Sequence, residues 1–178
     1  MEVTPQIGNE TPAPVAAGLV VTPRITMKAS VPVGNQRQWQ RKWRDIEHAY
    51  AELAAAYQGN GINDDDFTRR IEVFFKTCRE LADWIDNHQP GFNAMDYVNN
   101  QPWLEYCDAL AQTAKHHTRN RGITAKVDEL FLEANGARAD IAWTSNSGSG
   151  TLDALKLADD CLAEWKAFFT QHRLDPNG

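Results

Sequence analysis

The chain has 178 residues, 42% of them hydrophobic, and a formal net charge of −6. Its length allows one domain with a sizeable core, and its acidic balance argues against general nucleic-acid binding. No apolar run reaches the roughly 18 residues that a membrane span needs. The N-terminus lacks the basic start and apolar stretch of a secretory signal. We therefore expect a protein of the cytoplasm, or of a virion assembled there, with no membrane partner.

Residues 1–34 differ in composition from the rest of the chain. Five of the eight prolines lie here, which prevents a continuous helix. Apolar and polar residues alternate over residues 19–33, as in a half-buried β-strand. The apolar row includes Leu19, Val21, Ile25, Met27, Val31 and Val33. Because Pro23 and Pro32 remove ladder donors, this strand is expected at a sheet edge. We predict an extended N-terminal docking arm over residues 1–34 and a helical domain over residues 35–178.

Two amphipathic helices open the predicted domain. Apolar residues recur at steps of three and four over residues 39–57, which predicts a first helix over about 36–58. Asp64 or Asp65 is expected to cap a second helix that runs to about Asn87.

A third long helix is predicted from Pro102 to about Gly122, after a short helical turn capped by Asn93. Its expected inward row consists of Trp103, Cys107, Leu110, Ala114 and His117. The last helix is expected to be capped by Thr151 and to run to about Gln171, with the connector "SNSGSG" before it.

The region 123–144 allows two interpretations. Asn135-Gly136 lies between two alternating runs, which is a strong signal for a β-hairpin. In that hairpin Leu132 would face Ala139. The alternative is a helix that ends at Asn135 or Gly136. We favour the hairpin.

The predicted fold class is mainly α. Four long helices form a small bundle, a β-hairpin is inserted between the third and fourth of them, and the N-terminal arm is extended.

The cysteines number three, an odd count. They fall on the apolar stripes of different predicted helices at Cys78, Cys107 and Cys161. We expect buried free thiols in a reducing compartment. Because the chain has no Cys-x-x-Cys or His-x-x-x-His spacing, we expect no metal site and no cofactor.

A basic cluster ends the third helix, in "CDALAQTAKHHTRNRG". One interpretation is structural, because cations at a helix C-terminus complement its dipole and bind the last carbonyls. The functional interpretation is an anion-binding corner formed by Lys115, His116, Arg119 and Arg121.

Arg41 and His48 are separated by six residues. This spacing resembles the Arg-x(4–6)-His motif of the HEPN group of helical ribonucleases, although Lys42 replaces the polar residue that often follows the arginine. The resemblance implies RNA cleavage or toxicity as an alternative function. The catalytic candidates would then be His48, His116, His117 and Arg119.

The order of "FFKTCRELADWI", "CDALAQTAKHHTRNRG", a hairpin and "LADDCLAEWKAFF" resembles a group of small helical proteins of bacteria and phages. The resemblance covers about residues 36–172 and implies a helical body, and the group carries no established activity. The leading hypothesis is a non-enzymatic interaction or assembly protein. Its arm would dock on a protein partner or a larger assembly, such as a virion surface or minor capsid.

Overall fold

The computed structural model describes residues 38–59, 62–89, 91–116, 122–133 and 136–178. The predicted arm, residues 1–34, lies outside the described residues, as do His117, Arg119 and Arg121. The elements in chain order are α1 (Gln38–Gln58), α2 (Asp64–His88), α3 (Ala94–Asn100), α4 (Pro102–His116), β1 (Thr124–Glu133), β2 (Gly136–Ser145), β3 (Gly148–Asp153) and α5 (Ala154–His172). A mainly helical chain is therefore confirmed.

The start of α2 differs by one residue from the prediction. Asn63 is the N-cap, and its side-chain oxygen accepts a hydrogen bond from the Asp66 N–H at 2.8 Å. Asp64 and Asp65 occupy the first turn instead, where their charges favour the positive end of the helix dipole. The start of α4 at Pro102 is confirmed.

The predicted cap of the last helix was wrong. Thr151 lies in β3, opposite Ala142 of β2. The N-cap of α5 is Asp153, whose side chain accepts a hydrogen bond from the Lys156 N–H at 2.9 Å. The predicted flexible connector forms a turn and β3, because pairing with β2 satisfies its backbone groups.

The sheet has three antiparallel strands in the order β1-β2-β3. The predicted pairing of Leu132 with Ala139 was wrong, since Leu132 lies opposite Ala137 and Leu130 lies opposite Ala139. This is a register shift of two residues. Because side chains alternate with a period of two, the shift leaves the same residues on the core face. The alternative helix over these residues is not formed.

The core lies between the helices, with α2 packed against α1, α4 and α5. Its largest fully buried side chains are Trp39, Trp43, Trp165, Phe67, Phe74, Phe75 and Phe168. In α4, Cys107 and Leu110 are buried as predicted, whereas Ala114 is exposed. The buried stripe of α4 instead includes Asp108 and Ala111. The helix is therefore rotated from the predicted orientation.

The C-terminal end of α1 packs closely on the sheet at Gly136. This residue has φ 154°, and a Cβ there would lie 2.3 Å from the Tyr57 carbonyl oxygen. Glycine allows the two backbones to approach this closely. Among the described residues, no helix has both the length and the apolarity needed to cross a membrane.

Candidate functional site

The predicted anion-binding corner is only partly described. Lys115 is exposed in the last turn of α4, and His116 ends that helix. Arg119 and Arg121 lie outside the described residues, so the corner stays a prediction. Lys115 is one of the residues that line a groove of about 530 Å³ between α2 and α4.

The groove carries charges of both signs. Lys76 and Lys115 are exposed and have no ion-pair partner among the described residues. Arg79 pairs with Asp83, and its Nε lies 3.3 Å from the Asp108 carboxylate. Because acidic residues interleave with the basic ones, the groove is a mixed surface and not a concentrated cationic site.

The candidate ribonuclease residues of α1 point outward. Arg41 and His48 are both exposed. The side chain of His48 is 78% exposed, and its Nε2 lies 3.3 Å from Glu52 Oε1. In the described part of the chain, Glu52 is the charged group that contacts this imidazole. The motif therefore stays a prediction, as do the roles proposed for His116 and the residues that follow it.

The three cysteines form a cluster that their sequence spacing does not predict. Cys78 of α2, Cys107 of α4 and Cys161 of α5 place their Sγ atoms within 4.8 Å of one another. All three are free, and each is at most 1% exposed. Buried free thiols are confirmed. The position of each cysteine on the apolar face of its helix predicted that it is buried. Periodicity within one helix does not show which faces of different helices pack together, so it could not predict that the three cysteines are neighbours.

Two of the thiols have a backbone acceptor. The Cys107 thiol donates to the Phe75 carbonyl at 3.4 Å, and the Cys161 thiol donates to the Trp103 carbonyl at 3.4 Å. These bonds are compatible with ordinary packed core cysteines, since a thiol is a weak donor.

Cys78 has a different environment. Its polar neighbours are Cys107, Cys161 and the indole N–H of Trp165. This N–H is buried and makes no hydrogen bond of standard geometry in the described structure, yet it acts electrostatically on the Cys78 sulfur. The Cys78 sulfur therefore lies beside two other sulfurs and a buried indole N–H.

Burial opposes ionisation of the thiols. It raises the pKa of Cys107 and of Cys161 well above the usual value. Burial also tends to raise the pKa of Cys78, but the neighbouring side chains of Cys107, Cys161 and Trp165 favour its thiolate and lower this pKa.

The fold defines a mainly helical protein with a small antiparallel sheet. No protein-family model, curated protein or solved structure matches the chain.

Proposed function

We propose that this chain is a non-enzymatic interaction or assembly protein whose N-terminal arm, residues 1–34, docks in extended form on a protein partner. The alternation of apolar and polar residues over 19–33 carries the proposal. An extended segment with one apolar side needs a surface that covers it, and its backbone groups need hydrogen-bond partners. The edge of a β-sheet provides both.

The length of the arm supports an intermolecular role. Fully extended, residues 19–33 would span about 50 Å at roughly 3.3 Å per residue. A compact body of the remaining length should be only about 35–40 Å across. The arm can therefore reach beyond the body to a neighbouring molecule. We interpret the body as a bundle of the four long helices α1, α2, α4 and α5.

The sheet of the body limits where an added strand could pair. In the described sheet, β2 lies between β1 and β3. An added strand could therefore pair with the outer edge of β1 or with that of β3. The edge strand β1 carries a bulge between Val127 and Glu129, together with charged Lys126 and Asp128. Bulges and charges protect edge strands against further pairing. We therefore favour a sheet of the partner as the acceptor, in an assembly such as a virion surface or minor capsid.

Two matched double variants of the full chain test the arm. Val21→Asp with Ile25→Asp places charges on the apolar row, and Thr22→Asp with Thr26→Asp places the same charges on the polar row. Burying one aliphatic side chain contributes about 1.5–3 kcal/mol, so the apolar-row variant should bind its assembly at least about 100-fold more weakly. The polar-row variant should retain binding.

The measurement is the fraction of tagged chain that sediments with the assembly in its native host cell. Two outcomes contradict the proposal. Either both variants behave alike, or a chain that lacks residues 1–34 still sediments as the full chain does.

A further inference from the structure

We propose that Cys78, Cys107 and Cys161 form a three-coordinate, all-sulfur site for one soft, thiophilic ion. Their Sγ atoms already lie within 4.8 Å of one another. Three sulfurs bound to one ion through bonds of about 2.3 Å lie about 4 Å apart around a planar centre and about 3.5 Å apart around a pyramidal one. Each pair of sulfurs therefore needs to close by no more than about 1.3 Å, which side-chain rotation can provide.

The indole of Trp165 supplies an independent observation. Its Nε1 is completely buried and has no hydrogen-bond partner of standard geometry within the described structure. An unsatisfied buried N–H is costly, so its position calls for an explanation. A metal-bound thiolate at Cys78 would give this donor a charged acceptor. Such supporting hydrogen bonds orient and tune metal ligands.

The donor set selects the class of ion. Thiolates favour soft ions and disfavour magnesium and calcium, which prefer oxygen ligands. Among the described residues, no histidine or carboxylate joins the three cysteines as a fourth ligand. Zinc in structural sites is almost always four-coordinate. The geometry therefore points to an ion that is satisfied by three sulfurs.

Charge balance narrows the choice further. Three thiolates leave a net charge of −1 around Zn²⁺ and −2 around Cu⁺, but zero around a trivalent ion. The nearby cation Arg79, which follows Cys78 in the sequence, already pairs with the carboxylates of Asp83 and Asp108, so it does not offset a negatively charged centre. An uncompensated charge in an apolar core is costly. The site should therefore favour a neutral centre of the As(III) type.

The binding reaction balances without a change in oxidation state. Arsenous acid, As(OH)₃, exchanges its three As–O bonds for three As–S bonds, and each thiol proton leaves with a hydroxide as water. The core must open locally to admit the ion, because all three sulfurs are buried. Binding should consequently be slow, at a rate that becomes independent of arsenite concentration.

The test titrates the reduced full chain with arsenite in the absence of oxygen. The chain contains three cysteines in all, so thiolate binding reports on this cluster alone. We expect one arsenic per chain by native mass spectrometry, three sulfur neighbours by X-ray absorption and a raised Tm, since binding to the native state stabilises it. If Zn²⁺ or Cu⁺ binds more tightly than arsenite does, the proposal of a neutral three-coordinate centre is wrong.

Substitutions then separate ligation from stability. Cys78→Ala, Cys107→Ala and Cys161→Ala should each lower arsenite affinity by more than the roughly 10–100-fold that loss of a supporting hydrogen bond costs. Trp165→Phe removes only the supporting N–H and should lower the arsenite affinity by about 10–100-fold. The control Ile85→Val alters the buried face of α2, keeps all three thiols and should bind as the wild type does.

If a cysteine variant does not fold, the site can still be tested by measuring the arsenite affinity of the wild-type chain in its native and its unfolded state. The native chain should bind arsenite more tightly than the same chain in denaturant, because only the fold brings the three sulfurs together. Equal affinity in the two states would overturn the proposal, as would unchanged affinity in a folded cysteine variant.

Discussion

At the scale of single residues, the hydroxyl of Tyr57 connects three elements. It accepts hydrogen bonds from the Ala139 N–H at 3.2 Å and the Leu155 N–H at 3.0 Å. It is also 3.3 Å from the Asp153 carboxylate, to which it can donate. A residue at the end of α1 therefore stabilises both β2 and the first turn of α5.

Burial raises the pKa of Tyr57 from 10.0 to about 12, against an opposing effect of the backbone hydrogen bonds and with a contribution from nearby Asp153. The folded state therefore holds this proton more tightly than the unfolded state does. The corresponding stability is complete below pH 10.0 and is lost as the pH rises to about 12.

We predict that Tyr57→Phe lowers the free energy of unfolding by about 1–3 kcal/mol at neutral pH, because two backbone donors lose their acceptor. The variant should also lose less stability than the wild type as the pH rises from 10.0 to about 12. Urea unfolding at several pH values measures both effects. Tyr106→Phe is the control, since that hydroxyl has no hydrogen-bond partner in the described structure. An identical alkaline response in both variants would contradict the role given to Tyr57.

At the scale of elements, the junction between β3 and α5 shows how strand pairing changes a helix boundary. Thr151 has the residue type of a good N-cap, but its backbone belongs to the ladder with β2. Asp153, two residues later, is where the pairing ends and the helix begins. The cap is therefore determined by where the sheet stops.

We predict that Asp153→Ala lowers the free energy of unfolding by about 0.5–2 kcal/mol through loss of the cap. Thr151→Ala should change it by less than about 0.5 kcal/mol, as expected for an exposed residue away from such contacts. Asp153→Asn preserves a capping oxygen and should remain close to the wild type. Thermal or denaturant unfolding of the three variants measures these differences. A larger loss of stability in Thr151→Ala than in Asp153→Ala would contradict Asp153 as the N-cap of α5.

At the scale of the whole molecule, the described core extends from Trp39 to Phe169. It includes contributions from helices and from the sheet, such as Ala139 and Ile141 of β2. All of these core residues lie within the predicted helical domain, residues 35–178. We expect the helical domain to fold without the arm.

We predict that a chain of residues 35–178 has the same urea midpoint and m-value as the full chain, because the same apolar surface is buried on folding. A loss of more than about 1 kcal/mol would instead indicate that the arm packs on its own body. This measurement is independent of any partner, so it separates the folding of the domain from the docking proposal.

Local signals alone determined where α1, α2 and α4 begin along the chain, to within about two residues. The periodicity of α1 and α2, the proline that starts α4 and the inward position of each cysteine depend only on neighbouring residues, whose spacing is set by the 3.6-residue turn. The tertiary structure decided the register of β1 on β2, the pairing that makes β3 from a Ser/Gly-rich segment, and the meeting of Cys78, Cys107 and Cys161. These features depend on contacts between residues far apart in the chain, and such contacts follow from how whole faces pack together.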